Sequence, residues 1–375
     1  MARPLRIGIN ALYLIPGQVG GTEIYLRSLL AALAEIDERN RYWVYVNRET
    51  AGELTIDSPR FHIVKCGIQA GFRPWRILWE QFGLPWMLWR HRIDVLLNPG
   101  FTMPVLFGGP SVTVFHDLQH KRHPEFFRWF DLPFWNLLLW LAVVRSRALV
   151  AVSQATAVDL GRFYGAEATR KTVVIPHGVD PEFFAIGERR RLGRELPERF
   201  LLTVSTLHPH KNLHRLLDAF RRFHGTHPEF RLVIAGLKGF ASEGLERYRQ
   251  ELGLEDAVRF TGWIPRGELY GLFETATGYI APSEFEGFGM PVAEALAAGI
   301  PCACSAIAPF EEVAGTAAAR FDPKSVGEMA AAMEMVAYDD EFRTRSAVSG
   351  PERARNFDWS EAARLTLRAL SGTSG

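Results

Sequence analysis

Two glutamates, Glu286 and Glu294, bracket a glycine turn in the run Ser283-Glu-Phe-Glu-Gly-Phe-Gly-Met-Pro-Val-Ala-Glu-Ala-Leu-Ala-Ala-Gly299. An ionised carboxylate is a pure acceptor with two oxygens, which suits a pair of neighbouring hydroxyls. Gly287-Phe288-Gly289 supplies backbone that a ligand can approach closely, and Pro291 sits where the first turn of a helix tolerates proline. The free N–H groups and positive dipole end of that helix suit an anion. Glu286 therefore stands in the loop and Glu294 about one turn inside the helix. A plain strand-turn-helix with two surface glutamates uses the same residue types, but lacks the Pro-Ser before the pair and the Gly-Phe-Gly within it.

A second candidate follows the apolar run Phe200-Leu-Leu-Thr-Val204, where Ser205-Thr206-Leu-His-Pro-His210-Lys211-Asn212 offers a cation at the mouth of the next helix. A positive charge is mildly unfavourable at a helix start, and there it can hold a diphosphate and take up the charge that develops as it leaves. Past the first strand, Gly20-Gly21 forms a turn into a helix, which reads either as a turn or as a phosphate loop. The Gly-x-Gly-x-x-Gly fingerprint is missing there and after Val204, which removes a nicotinamide dehydrogenase. Gly262-Trp-Ile264-Pro265 ends another strand. His116-Asp117 follows the strand Val112-Phe115 and, with His120 and His123, could be read as a metal cluster, although nothing completes the set at ligand spacing. No Asp-x-Asp triplet occurs.

These residues need a frame of strands and helices. Runs at 6–10, 42–47, 61–66, 95–98, 112–115, 148–152 and 173–175 read as strands alternating with helices, and the alternation restarts at 200–204, 231–235, 258–260, 278–281 and 301–304. That pattern predicts an α/β chain of two doubly wound parallel sheets, with each motif just past a strand's carboxyl end. The length of 375 residues suits two domains. We set them at 1–185 and 186–356, with the linker in the arginine-dense 188–199 segment and a closing helix over 357–375 capped by Ser360. A net charge of +1 argues against nucleic acid, and three scattered cysteines against a disulfide framework. With no signal-like start and no apolar run near the length of a membrane span, the expected location is the cytoplasm. Two aromatic and basic runs, 72–90 and 126–140, suit either core packing or peripheral contact with the inner face of a membrane.

The Glu-x7-Glu run, together with His210-Lys211-Asn212, resembles the signature of family 4 retaining glycosyltransferases of the GT-B type, mannosyltransferase-like branch. The resemblance implies two Rossmann-like domains facing an interdomain cleft, an N-terminal acceptor-binding and a C-terminal nucleotide-sugar-binding one, with the last helix crossing back to the first. It implies a hexosyltransferase of cell-surface polysaccharide synthesis, with mannose from GDP-mannose as first choice and a glycan or lipid-linked acceptor, needing neither metal nor cofactor. Glu286, Lys211 and His116 would be catalytic. Gly20, Gly21, Thr206, His210, Lys211, Asn212, Ile264, Glu286, Gly287, Phe288, Gly289 and Glu294 would hold the donor, and His116 with Asp117 would line the acceptor side. Two departures stand out: many members carry arginine where Thr206 stands, and close relatives carry it at His210. A non-catalytic sugar-nucleotide-binding protein and a GT-B epimerase-like hydrolase are the alternatives.

Overall fold

The computed structural model describes residues 3–191, 199–237, 239 and 242–372. Packing divides the chain into two compact units, Met1–Gly178 with Asp358–Gly375, and Val179–Phe357. In the first, strands β1 (Arg6–Ala11), β2 (Arg41–Val46), β3 (Phe61–Lys65), β4 (Val95–Asn98), β5 (Ser111–Phe115), β6 (Ala148–Ala151) and β7 (Thr172–Val174) form one parallel sheet in the order β3-β2-β1-β4-β5-β6-β7. The second holds β8 (Phe200–Val204), β9 (Arg231–Ala235), β10 (Val258–Gly262), β11 (Gly278–Ala281), β12 (Cys302–Ser305) and β13 (Ala319–Phe321), also parallel, in the order β10-β9-β8-β11-β12-β13. Central strands such as β4, β5, β11 and β12 are buried along their whole length. This is why they read as short apolar runs rather than as alternating ones. Strand order reverses between β1 and β4 and again between β8 and β11, and in open α/β sheets ligands bind at such reversals, beyond the carboxyl ends.

The expected domain boundary at 185/186 falls inside a helix, Pro181–Arg191, and the packing boundary lies at Gly178/Val179 instead. Arginines that read as linker are structural. Arg190 donates to the carbonyls of Phe273, Glu274 and Ala276, which end the Arg266–Thr275 helix, and Arg191 donates to that of Ala347. Residues 192–198 of the expected linker lie outside the described residues. The last helix, Trp359–Ser371, packs in the first unit, where Arg147 donates to its terminal carbonyls, those of Ala369 and Leu370. Its cap is Asp358, not Ser360: the Asp358 carboxylate accepts from the backbone N–H of Glu361 at 2.8 Å.

The aromatic and basic runs are helices whose outer faces are apolar. On Arg73–Arg90, Trp75, Leu78, Phe82, Trp86 and Trp89 recur at helical spacing on one exposed stripe, while Ile77, Leu84 and Leu88 face inward. Leu132–Arg145 exposes Phe134, Leu137, Trp140 and Val144, just after the exposed Trp129 and Phe130. Core packing therefore accounts for only one side of each helix.

The cap assignment sets two outcomes. Asp358→Ala is expected to lower stability by about 0.5–2 kcal/mol, the range for losing an N-cap side chain, and Ser360→Ala to leave it nearly unchanged. Urea denaturation of both variants checks this, and the reverse order would return the cap to Ser360.

Candidate functional site

In the second unit, adjacency of β8 and β11 sets the loops that follow them side by side. The β8 loop ends in a tight turn, Pro209–Lys211, and in Asn212 with a left-handed φ of 58°, which asparagine tolerates better than most residues. The turn delivers Lys211 to the β11 loop. Its Nζ lies 2.6 Å from Glu286 Oε1, which also accepts from Ser283 Oγ at 2.8 Å, and both charged side chains are less than one-fifth exposed. The loops are pinned elsewhere too. The N–H of Glu284 donates to the carbonyl of His210 at 2.9 Å, Arg215 donates to Glu284, and the Asn212 amide donates to the carbonyls of Pro282 and Pro323.

Several expected donor residues therefore have structural duties. The side-chain amide of Asn212 joins two loops, and the Phe288 ring turns inward, edge-on to Phe357 at 5.4 Å. Gly289 has φ 102°, and a Cβ there would stand 2.6 Å from the Phe310 ring, so only glycine fits. Glu286 and Gly287 precede it in the same loop, and the Met290–Ala297 helix begins directly after it. His210 is buried, with its ring stacked on that of His208 at 5.8 Å. Burial, and then the charge of Lys211, push the His208 pKa below its usual range. Thr206 is half-buried, and its carbonyl accepts from the N–H of His208.

Glu294 is buried on the Met290–Ala297 helix and raised in pKa by that burial, against the opposing pull of Arg266. Arg266 opens the helix two residues after the half-buried Ile264. Its Nη2 donates both to Glu294 Oε1, at 3.2 Å, and to Asp180 Oδ2, at 3.1 Å, and Tyr270 donates its hydroxyl to the same Asp180 oxygen. Asp180, Arg266 and Tyr270 were not anticipated from the sequence. The signal was present: a basic residue at a helix start, the argument that singles out Lys211, applies equally to Arg266.

In the first unit, the loop after β1 is tied down by Asn47, which donates to the carbonyls of Leu12 and Leu14, and by Glu23, which accepts from the N–H of Gly17. Gly20, with φ 59° and ψ −130°, caps the Gly21–Ile36 helix in a conformation that favours glycine. His116 directly follows β5. Its Nε2 lies 2.9 Å from the Pro99 carbonyl, which assigns the ring proton to Nε2. The ring stands edge-on to Tyr25 at 4.8 Å and 5.5 Å from His177. Burial pushes the His116 pKa down to about 4, against the Pro99 hydrogen bond. Asp117 accepts from the N–H of Gln119 and so turns the chain into a short helix, Gln119–Arg122. His120 lies near the Tyr164 hydroxyl and His123 against Glu125, so the three histidines have separate partners. Among the described residues no three His, Cys, Asp or Glu side chains are grouped to hold a metal ion.

The chain is similar to known glycosyltransferases in sequence and in fold. The sequence model of the glycosyl transferases group 1 matches residues 187–353, and that of glycosyltransferase family 4 matches residues 19–183. The O-antigen chain mannosyltransferase B of Escherichia coli is 25% identical over 293 residues, 76% of each chain. A D-inositol 3-phosphate glycosyltransferase of Frankia alni is 32% identical over 244 residues, 60% of this chain and 59% of that enzyme. Among solved structures, a sucrose-phosphate synthase from Thermosynechococcus elongatus superposes with a TM-score of 0.81 at 19% identity, over 99% of this chain and all of that one. The Anabaena protein HepE, in complex with UDP and glucose, gives 0.75 at 20% identity, over 98% and 99%.

The buried histidines set a pH dependence. An unfolded histidine protonates near ~6.5, whereas folded His116 resists until about 4. The unfolded state thus binds the proton first, and stability present above pH 6.5 is lost as pH falls toward 4. His120, also pushed down to about 4 by burial, adds to the loss. Urea denaturation at pH 7 and pH 5 should show a smaller difference in His116→Gln than in the parent, by about 1–2 kcal/mol. Equal differences would mean that folded His116 takes up its proton as readily as the unfolded chain does.

Proposed function

Because the chain is a GT-B glycosyltransferase of the group 1 and family 4 type, we propose that it moves a hexose from a nucleoside diphosphate sugar to a hydroxyl of a glycan or lipid-linked acceptor, with retention at the anomeric carbon. The observation that carries this reading is the Lys211–Glu286 pair at the β8/β11 reversal, in a loop that runs directly into the Met290–Ala297 helix bearing Glu294. Mannose from GDP-mannose is the first choice, supported by the Escherichia coli mannosyltransferase relative.

In this reading Lys211 and the amides at the start of the Met290–Ala297 helix stabilise the diphosphate as it leaves, and the reaction needs no metal. Glu286 accepts from hydroxyls of the donor sugar, and its ion pair keeps Lys211 pointing at the crevice before the donor arrives. Glu294 accepts from the ribose hydroxyls. The bond from the anomeric carbon to the phosphate oxygen breaks while the acceptor oxygen forms its bond on the same face, and the acceptor proton passes to the departing phosphate. His116, uncharged near neutral pH, lines the acceptor side together with Asp117.

The outer faces of the Arg73–Arg90 and Leu132–Arg145 helices support one addition, peripheral contact with an anionic membrane surface. Tryptophan with arginine on an apolar helix face suits the boundary between headgroups and acyl chains. Arg73, whose guanidinium lies 4.6 Å over the Trp135 ring, and Arg90, over Trp86, place positive charge beside that face. Among the described residues no helix is long and apolar enough to cross a membrane.

Three substitutions separate an enzyme from a binding protein. Lys211→Ala should lower turnover by about 100-fold, the scale for losing one donor to a developing anion. Glu286→Ala should abolish most transfer while leaving GDP binding nearly intact, whereas Glu294→Ala should weaken GDP itself by about tenfold. Normal binding and turnover in all three variants would refute the assignment. For the membrane contact, the protein should sediment with phosphatidylglycerol vesicles and much less with phosphatidylcholine ones, and Trp86→Ser with Trp89→Ser should release it. Equal recovery in the supernatant with both lipids would remove the membrane from the reading.

A further inference from the structure

Arg266 is spent in a way that its place in the fold does not require. It opens a helix, where the dipole disfavours positive charge, yet it binds two carboxylates through a single nitrogen, Nη2. One of them is Glu294, whose side chain is 6% exposed. The guanidinium also lies 5.2 Å over the Phe183 ring and 5.3 Å over Tyr270, whose hydroxyl accepts from Nε at 3.2 Å. Its Nη1 is buried and makes no hydrogen bond among the described residues. A buried donor left unspent is uncommon and costs stability.

The surroundings show what this arrangement achieves. Glu294 is buried on its helix, and the charged groups that face it are Arg266 from the Arg266–Thr275 helix and Asp180 from the start of the Pro181–Arg191 helix. Asp180 alone would repel the Glu294 carboxylate. Arg266, between the two, turns that repulsion into a bridged pair, and Tyr270 takes part of the charge on Asp180. A carboxylate buried without a cation partner would take up a proton instead, and as an acid it could accept only part of what a diol offers. The same arginine stands two residues past Ile264, so the loop expected at the nucleobase and the carboxylate expected at the ribose share one anchor.

We propose that Arg266 is the positioning residue for the nucleoside half of the donor: bridged to Asp180, it holds the Glu294 carboxylate in place to accept both ribose hydroxyls. This rests on the reading of Glu294 as the ribose ligand. Arg266 acts through Glu294, so its loss removes discrimination for the ribose hydroxyls rather than nucleotide binding as such. Lysine is only a partial replacement, because it lacks the Nε that Arg266 donates to Tyr270 and the flat face that lies over Phe183.

The test is a set of calorimetric titrations with GDP and with 2′,3′-dideoxy-GDP on four proteins: the parent, Arg266→Met, Glu294→Ala and the double variant, each checked for an intact thermal transition. The parent should bind GDP about tenfold more tightly than the dideoxy compound. That ratio should fall to about one in Arg266→Met as in Glu294→Ala, and the double variant should be no weaker than Glu294→Ala. Arg266→Lys should recover part of the ratio, which a purely structural defect would not produce. A parent that binds both compounds alike would end the ribose reading of Glu294 and this proposal with it. A parent that discriminates, beside an Arg266→Met protein that discriminates equally, would overturn the role of Arg266 alone. Additive losses in the double variant would overturn it too, by showing that Arg266 acts on the ligand independently of Glu294.

Discussion

The reversal of strand order between β8 and β11 is the constraint on which the second unit's site depends. Two parallel strands that are neighbours in space, but separated in sequence by β9 and β10, send their loops out of the same edge of the sheet. Helices that leave such strands lie on opposite faces, so the loops between them open a crevice. Three interactions at the candidate site follow from that adjacency: the Lys211–Glu286 pair, the Asn212 bridge to Pro282 and the contact of Glu284 with His210. The first unit repeats the device between β1 and β4, where the glycine loop begins, and places His116 one strand further along.

Charge is managed at the site by pairing before any ligand is present. Two mostly buried side chains, Lys211 and Glu286, neutralise each other, and Arg266 bridges Asp180 and Glu294, offsetting their mutual repulsion. An unpaired ion at these depths would be costly or would change its protonation. A pair also stores a defined geometry, because each member fixes the other's rotamer. In the proposed function, the donor diphosphate meets a lysine already oriented, and little ordering is left to be done on binding.

Much of this could be read from the sequence, and the limits have physical causes. Strands buried on both faces announce themselves as apolar runs, so twelve of the strands were expected close to where they lie, β4, β8, β9 and β11 with the same ends. β13 escaped because Ala319–Phe321 is only three residues long and contains an arginine. The Pro181–Arg191 helix escaped because its arginines look like a solvated linker, whereas their bonds to distant carbonyls are visible only in three dimensions. Glu286, Glu294 and Lys211 were legible because their types and neighbours are unusual together. That Lys211 pairs with Glu286, and that Phe288 and Asn212 face the protein, depends on loop geometry that spacing does not encode. The domain boundary was displaced for the same reason: the Pro181–Arg191 helix, read as linker, belongs to the second unit.

The central claim is that the β8/β11 crevice binds a nucleoside diphosphate through side chains and helix amides alone. Titration of the protein with GDP, UDP and ADP in excess EDTA tests it most directly. The account predicts saturable binding at one site per chain, tightest for GDP. Absence of binding by all three, or binding that returns only when Mg2+ or Mn2+ is added, would contradict it.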